Sequence, residues 1–210
     1  MAENIEYLWV EKNLPKKSRL FNFGSRDDRT VELFTEKGYT VVGVDLLPDP
    51  RARKIRNYEF HKGNFFEMSF KERFECVYGI SSVEHVGLQC FGVEAKFVDP
   101  DGDIKTVKKL YELLKPKGVM LLTCPYGEFP RGADWRVYGK DRLTKLVGDF
   151  KHSLEFFVAM GEYFLQEWRE THDFYVEPPI QLLDNIREEW VLTQENAEKV
   201  FSVVCIKIEK

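Results

Sequence analysis

The stretch RLFNFGSRDDRTVELF, residues 19–34, decides the fold. A five-residue apolar run ends at Gly24, and an amphipathic helical pattern begins five residues later. Strand, glycine turn and helix in that order outline a nucleotide-binding turn, where glycine lets the backbone bend sharply against a ligand. Only one glycine stands here, however. A dinucleotide turn of the form GxGxxG would need glycines at Arg26 and Arg29, and two long side chains there fill the space a pyrophosphate requires. The turn argues against a dinucleotide and leaves room for an adenosine ligand without phosphates.

Working outward, short apolar runs alternate with helical patterns. Residues 19–23 read as a strand, 29–38 as a helix ended by Gly38, and the β-branched run 40–45 as a buried strand ending in Asp45. Further strands are expected at 58–63, 74–80 and 119–125, with a helix at 103–118 that stops at the KPKG terminator. A helix at 140–150 and strands at 153–160 and 199–210 complete the set. The alternation predicts an α/β, Rossmann-like, doubly wound and mostly parallel seven-stranded sheet with helices on both faces. The last two strands lack a crossover helix between them, which predicts an antiparallel C-terminal edge strand. All 210 residues are expected to form a single domain, with 1–18 as a helical lead-in and 171–196 as an aromatic insertion before the last strand.

Composition narrows the function. A formal net charge of −4 lacks the basic footprint of a nucleic-acid binder. The one basic cluster, RARKIR at 51–56, reads as a solvated loop or helix face. No window approaches the roughly 18 apolar residues of a membrane span, and the acidic, broken N-terminus does not resemble a secretory signal. A cytoplasmic protein is the expectation. The four cysteines form no CxxC pair and the four histidines show no ligand spacing, so reduced thiols and no metal are expected.

In doubly wound sheets, ligands lie beyond the carboxyl ends of the strands. Asp45, 21 residues after Gly24 at the end of the next strand, stands where a carboxylate accepts the ribose hydroxyl protons. Together, PKKSRLFNFGSRDDRTVELFTEKGYTVVGVDLLP, GNFFEMSFKERFECVYGISSVEHVG and KKLYELLKPKGVMLLTCPYG resemble the successive motifs of class I S-adenosylmethionine-dependent methyltransferases, over about residues 15–125. The SSVEHVG…DPDGD run resembles a poorly characterised branch with small-molecule and carbohydrate methyltransferases among its relatives. The resemblance implies S-adenosyl-L-methionine as cofactor. Gly24 and Ser25 would then meet its methionine end, Asp45 the ribose, Leu46 and Phe65 the two faces of adenine, Asn64 its edge, and Ser81 the donor's amino group. The sequence departs from the family's pattern at Asn22, Arg26 and Asn64, where acidic residues and a second glycine are common. Arg26 either closes over the donor's carboxylate or narrows the pocket.

Methyl transfer is an in-line displacement at an activated carbon, so alignment supplies much of the catalysis and a base is needed only for a reluctant proton. His85, after the strand at 74–80, is the candidate base; its alternative role is to cap that turn. Glu84 is a candidate to orient the acceptor or act itself. Tyr126, with Asp134 and Trp135 beyond the strand at 119–125, is a candidate acceptor lining. DPDGD at 99–103 lacks the glycine and glutamate positions of a calcium loop, and Asp101 or Asp103 is expected to cap the following helix. The function expected is methyl transfer to a small-molecule or sugar-like acceptor. A methyltransferase-like scaffold without catalysis, or a protein or RNA methyltransferase, is the alternative.

Overall fold

Leu20, Phe21, Asn22 and Phe23 are all buried, so β1 (Arg19–Phe23) runs through the interior with both faces covered. That is how a central parallel strand behaves, because helices cover each side of the sheet. The computed structural model describes residues 5–16, 18–91, 98–127, 134–158, 191–199 and 201–210. Its further strands are β2 (Thr40–Asp45), β3 (Tyr58–Lys62), β4 (Phe74–Ile80), β5 (Leu114–Gly127), β6 (Lys151–Val158), β7 (Val191–Leu192) and β8 (Phe201–Glu209). They form one sheet in the order β3-β2-β1-β4-β5-β8-β6-β7. The first five are mutually parallel, while β8 pairs antiparallel with both β5 and β6.

Successive residues of one strand feed opposite layers, as the two-residue period requires. Phe21, Phe23, Val42 and Val44 join the core beneath α3 (Gly102–Glu112) and α4 (Lys140–Val147). Leu20, Val41, Cys76 and Leu121 join the core beneath α1 (Ile5–Asn13) and α2 (Thr30–Glu36). The Trp9 indole donates to Glu155 Oε1 at 2.8 Å and ties α1 to β6. All four cysteines are buried and free. Among the described residues, no helix is long and apolar enough to cross a membrane.

The expected α/β class holds, with three differences of detail. The sheet has eight strands, the extra one being the two-residue β7. The C-terminal strand lies inside the antiparallel addition, between β5 and β6, instead of at the edge. α3 ends at Glu112, before KPKG, because the chain's end captures that segment into the sheet. Lys117 N–H donates to the Lys210 carbonyl and Lys210 N–H to the Gly118 carbonyl. Of the aromatic insertion expected at 171–196, residues 171–190 lie outside the described residues, as do 159–160 of the strand expected at 153–160. The remainder supplies β7 and the short α5 (Gln194–Ala197).

Candidate functional site

Between β1 and α2 the backbone turns at Gly24 with φ +76, the left-handed region that favours glycine. A Cβ there would lie 2.4 Å from Ser82 Oγ, so the turn also needs glycine to pass the loop after β4. Gly24 and Ser25 N–H both donate to the Val44 carbonyl, which docks the turn on β2. Asp45, the last residue of β2, accepts from Arg26 N–H at 3.1 Å and from Leu47 N–H at 3.0 Å, one bond to each carboxylate oxygen. A carboxylate has roughly four acceptor positions. Asp45 is thus fixed in orientation with acceptor capacity left over.

These loops, with those after β3 and β4 and the segment before α3, enclose a cavity of about 800 Å³. That falls within the usual size range of small-molecule and cofactor sites, about 300–1,000 Å³. Of the residues singled out in the sequence, Gly24, Arg26, Asp45, Leu46, Asn64, Phe65, Ser81 and His85 line it. The Arg26 guanidinium, which belongs to the lining, lies 3.3 Å from the Asp27 carboxylate. The Ser81 hydroxyl donates to Glu6 Oε1 on α1 at 2.6 Å, and its N–H donates to Thr123 Oγ1. Asn64 spends its side-chain oxygen on Phe66 N–H, starting the 3₁₀ turn Phe65–Glu67.

That turn separates two neighbouring rings. Phe65 packs into the aromatic core against Phe21 and Phe23, with 5% of its surface exposed. Phe66 is 42% exposed on the cavity wall, as is Leu46 at 41%. Lys109 secures the turn by donating to the carbonyls of Phe65, Phe66 and Met68.

Ser25, Glu84, Tyr126 and Trp135 do not line the cavity. The Ser25 side chain is buried behind the turn, where its hydroxyl donates to the Tyr58 oxygen at 2.9 Å while the Tyr58 proton goes to Asp49. Glu84 is buried beside His85 on the 3₁₀ turn Val83–His85, and its Oε2 has no hydrogen-bond partner among the described residues. Burial, reinforced by the Glu6 charge, pushes its carboxyl well above the usual range and keeps it protonated. Tyr126 is fully buried; its hydroxyl donates to Glu198, accepts from Gln194, and so staples β5 to α5. Its ring packs in the core, tilted against Phe156 at 4.9 Å between centroids, on the side away from the cavity lining. Trp135 is half-buried outside the cavity, whereas the Asp134 carbonyl reaches His85 Nδ1 at 2.5 Å.

His85 combines exposure to the cavity with a lowered pKa. Burial disfavours its charged form, partly offset by the Asp134 carbonyl and carboxylate, so the imidazole is neutral at physiological pH. The Phe91 ring packs edge-on against it, at 5.0 Å between centroids.

Several site residues carried no local signal. Phe66 is indistinguishable from Phe65 until the Asn64 cap sets the turn. Arg51, read as part of a solvated basic run, is turned inward with 19% of its side chain exposed. It donates to the carbonyls of Ser25 and Asp28 and pairs with buried Asp49. Neither Asp101 nor Asp103 caps α3 with its side chain; both accept from Arg142 instead.

Comparison with solved structures returns this fold repeatedly. The Burkholderia thailandensis 1,6-didemethyltoxoflavin-N1-methyltransferase, solved with 1,6-didemethyltoxoflavin and S-adenosylhomocysteine, is 14% identical, with a TM-score of 0.61 over 98% of this chain and 76% of that one. A SAM-dependent methyltransferase from Archaeoglobus fulgidus is 14% identical, with a TM-score of 0.61 over 98% of this chain and 93% of that one. A TehB-like SAM-dependent methyltransferase from Corynebacterium glutamicum is 17% identical, with a TM-score of 0.58 over 98% and 87%. No curated protein matches by sequence. The family model described as "Caenorhabditis protein of unknown function, DUF268" matches residues 49–163, just over half of the chain. The chain therefore belongs to the DUF268 family, and its fold is the Rossmann-like fold of the class I S-adenosylmethionine-dependent methyltransferases.

Proposed function

We propose that this protein is an S-adenosylmethionine-dependent methyltransferase acting on a small-molecule acceptor. The observation that carries the reading is convergence: Gly24, Asp45, the Asn64 turn, Ser81 and a neutral His85 open onto one cavity beyond the strand ends. The residues present fit the donor. Asp45 keeps free acceptor positions for a ribose, and exposed Leu46 and Phe66 offer apolar faces for a purine. Gly24 brings bare backbone to the methionine end, and Arg26 stands at the rim with its guanidinium within reach of a carboxylate. When bound, the donor supplies an electrophilic methyl group on a sulfonium. His85 would take the proton of the acceptor's nucleophile, and the surrounding loops would hold that nucleophile in line. The acidic balance of the chain supports a small molecule over a nucleic acid.

Calorimetry with S-adenosylhomocysteine tests the donor half. Saturable binding is expected, weakened about tenfold or more in Asp45→Ala, which is about 1.4 kcal/mol. A wild-type protein with no detectable heat would remove the proposal. Radiolabelled methyl transfer from S-adenosylmethionine into a small-molecule extract tests the acceptor half. Label found only in protein or RNA would redirect it.

A further inference from the structure

His85 sits between two carbonyls that a distant residue grips. Arg136 Nη1 donates to the carbonyl of Glu84 at 3.1 Å and to that of Val86 at 2.5 Å. Its Nη2 donates to the carbonyls of Asp99 and Pro100 at 3.2 and 3.3 Å. Its backbone N–H donates to Glu84 as well, at 3.1 Å. The Nε lies 4.0 Å from buried Asp103, which balances the charge. A guanidinium presents five N–H donors in a rigid fork, and here the four terminal ones span two loops that only tertiary packing brings together. The side chain is 13% exposed.

The geometry has a chemical consequence at the imidazole. Segment 134–136 runs beside segment 84–86, and Arg136 is its clasp. Two residues before Arg136, the Asp134 carbonyl meets His85 Nδ1 at 2.5 Å. A carbonyl only accepts, so Nδ1 must carry the hydrogen, and the neutral ring then has its lone pair on Nε2. Besides Asp134 and Arg136, the Phe91 ring packs against this imidazole, and the Cys90 thiol donates to the His85 carbonyl.

We propose that Arg136 is a positioning residue for His85: by clasping the carbonyls on either side of it, Arg136 holds the Asp134 carbonyl on Nδ1 and leaves Nε2 bare to accept a proton. The inference deepens the methyltransferase reading, on which its functional meaning rests, but the tautomer itself is independent of activity. Lysine cannot substitute, because one ammonium with three donors cannot span four carbonyls in a plane.

The test uses the full chain labelled with nitrogen-15 and long-range proton–nitrogen spectra of the imidazoles, with His85 assigned by its loss in His85→Gln. Wild-type protein is expected to show a single Nδ1–H tautomer. In Arg136→Lys, that pattern should give way to an exchange-averaged one, and the His85 titration midpoint should fall, because the Asp134 carbonyl no longer favours the charged ring. Should Arg136→Lys unfold, Arg136→Gln read with and without added guanidinium takes its place, with the wild-type pattern restored by the ion. Two results would overturn the proposal: an Nε2–H tautomer in the wild type, or a folded Arg136 variant with unchanged tautomer and titration. S-adenosylhomocysteine binding, measured in parallel, should be the same in wild type and variant. Its absence from both would count against the methyltransferase reading and leave the tautomer result standing.

Discussion

Asn22 stands where the resemblance to methyltransferase motifs leads one to expect an acidic residue, and its surroundings give a local reason. Its amide donates to Asp28 Oδ2 at 2.8 Å and to the Tyr78 hydroxyl at 3.0 Å, all fully or nearly buried. Asp28 in turn caps α2 by accepting from Thr30 N–H and its hydroxyl. Burial pushes the Asp28 carboxyl up, against the hydrogen bonds that Thr30 and Asn22 provide. An acidic residue at position 22 would set two carboxylates against each other, whereas an amide donates to one. Asn22→Asp is therefore expected to destabilise the fold by about 1–3 kcal/mol at neutral pH. The pair would then share a proton with a raised pKa, so the deficit should shrink as pH falls; urea titrations at neutral and mildly acidic pH would show it. Asn22 as a departure was legible in the sequence. Its reason was not, because Asp28 and Tyr78 meet it only in the folded core.

At the scale of elements, the strand-to-helix connections are held from behind by residues of other loops. Arg51 braces the glycine turn through the Ser25 and Asp28 carbonyls while paired with Asp49, whose side chain is fully buried. Burial raises the Asp49 carboxyl, but hydrogen bonds and charge from Arg51 outweigh it and hold it below the usual carboxylate range. Arg51→Ala would strip the guanidinium from that carboxylate and leave it the Tyr58 hydroxyl and the backbone N–H of residue 51. Breaking a buried pair from one side costs about 3–5 kcal/mol, and a loss near the lower end is expected in denaturant titration. A second close approach joins the loop after β4 to α3. Gly87 has φ +80, and a Cβ there would lie 2.0 Å from the Asp99 carbonyl. Gly87→Ala should force these loops apart and lower the melting temperature. Sequence reasoning found the main strands and helices and Gly24, though not β7 or α5, since periodicity and turn chemistry are local. It could not tell Arg51 from the exposed Arg53, Lys54 and Arg56, because a basic run looks the same whether or not one member turns inward.

For the whole molecule, Glu84 links stability to pH. The folded chain keeps the Glu84 proton that the unfolded chain releases above about pH 4.5. A raised folded pKa gives a contribution that is full below the unfolded value and is lost as pH rises toward the folded one. Glu84→Gln removes the linkage, so the variant should gain on the wild type as pH rises, by at most about 1.4 kcal/mol per pH unit. Parallel denaturation curves at mildly acidic and alkaline pH check this, and a constant gap would refute it. The sheet itself depends on β8, which among the described residues bridges β5 to β6. The sequence by itself determined the α/β class, the approximate positions of every strand but β7, the glycine turn and the aspartate at its partner position. All of these rest on contacts between near neighbours or on the two-residue and 3.6-residue periods. Only the tertiary structure decided that β8 lies inside the sheet, that Phe66 is exposed on the cavity wall while Phe65 is mostly packed into the core, and that Glu84 and Tyr126 turn away from it. Those outcomes depend on carbonyls, charges and strand edges dozens of residues apart, whose meeting no local pattern encodes.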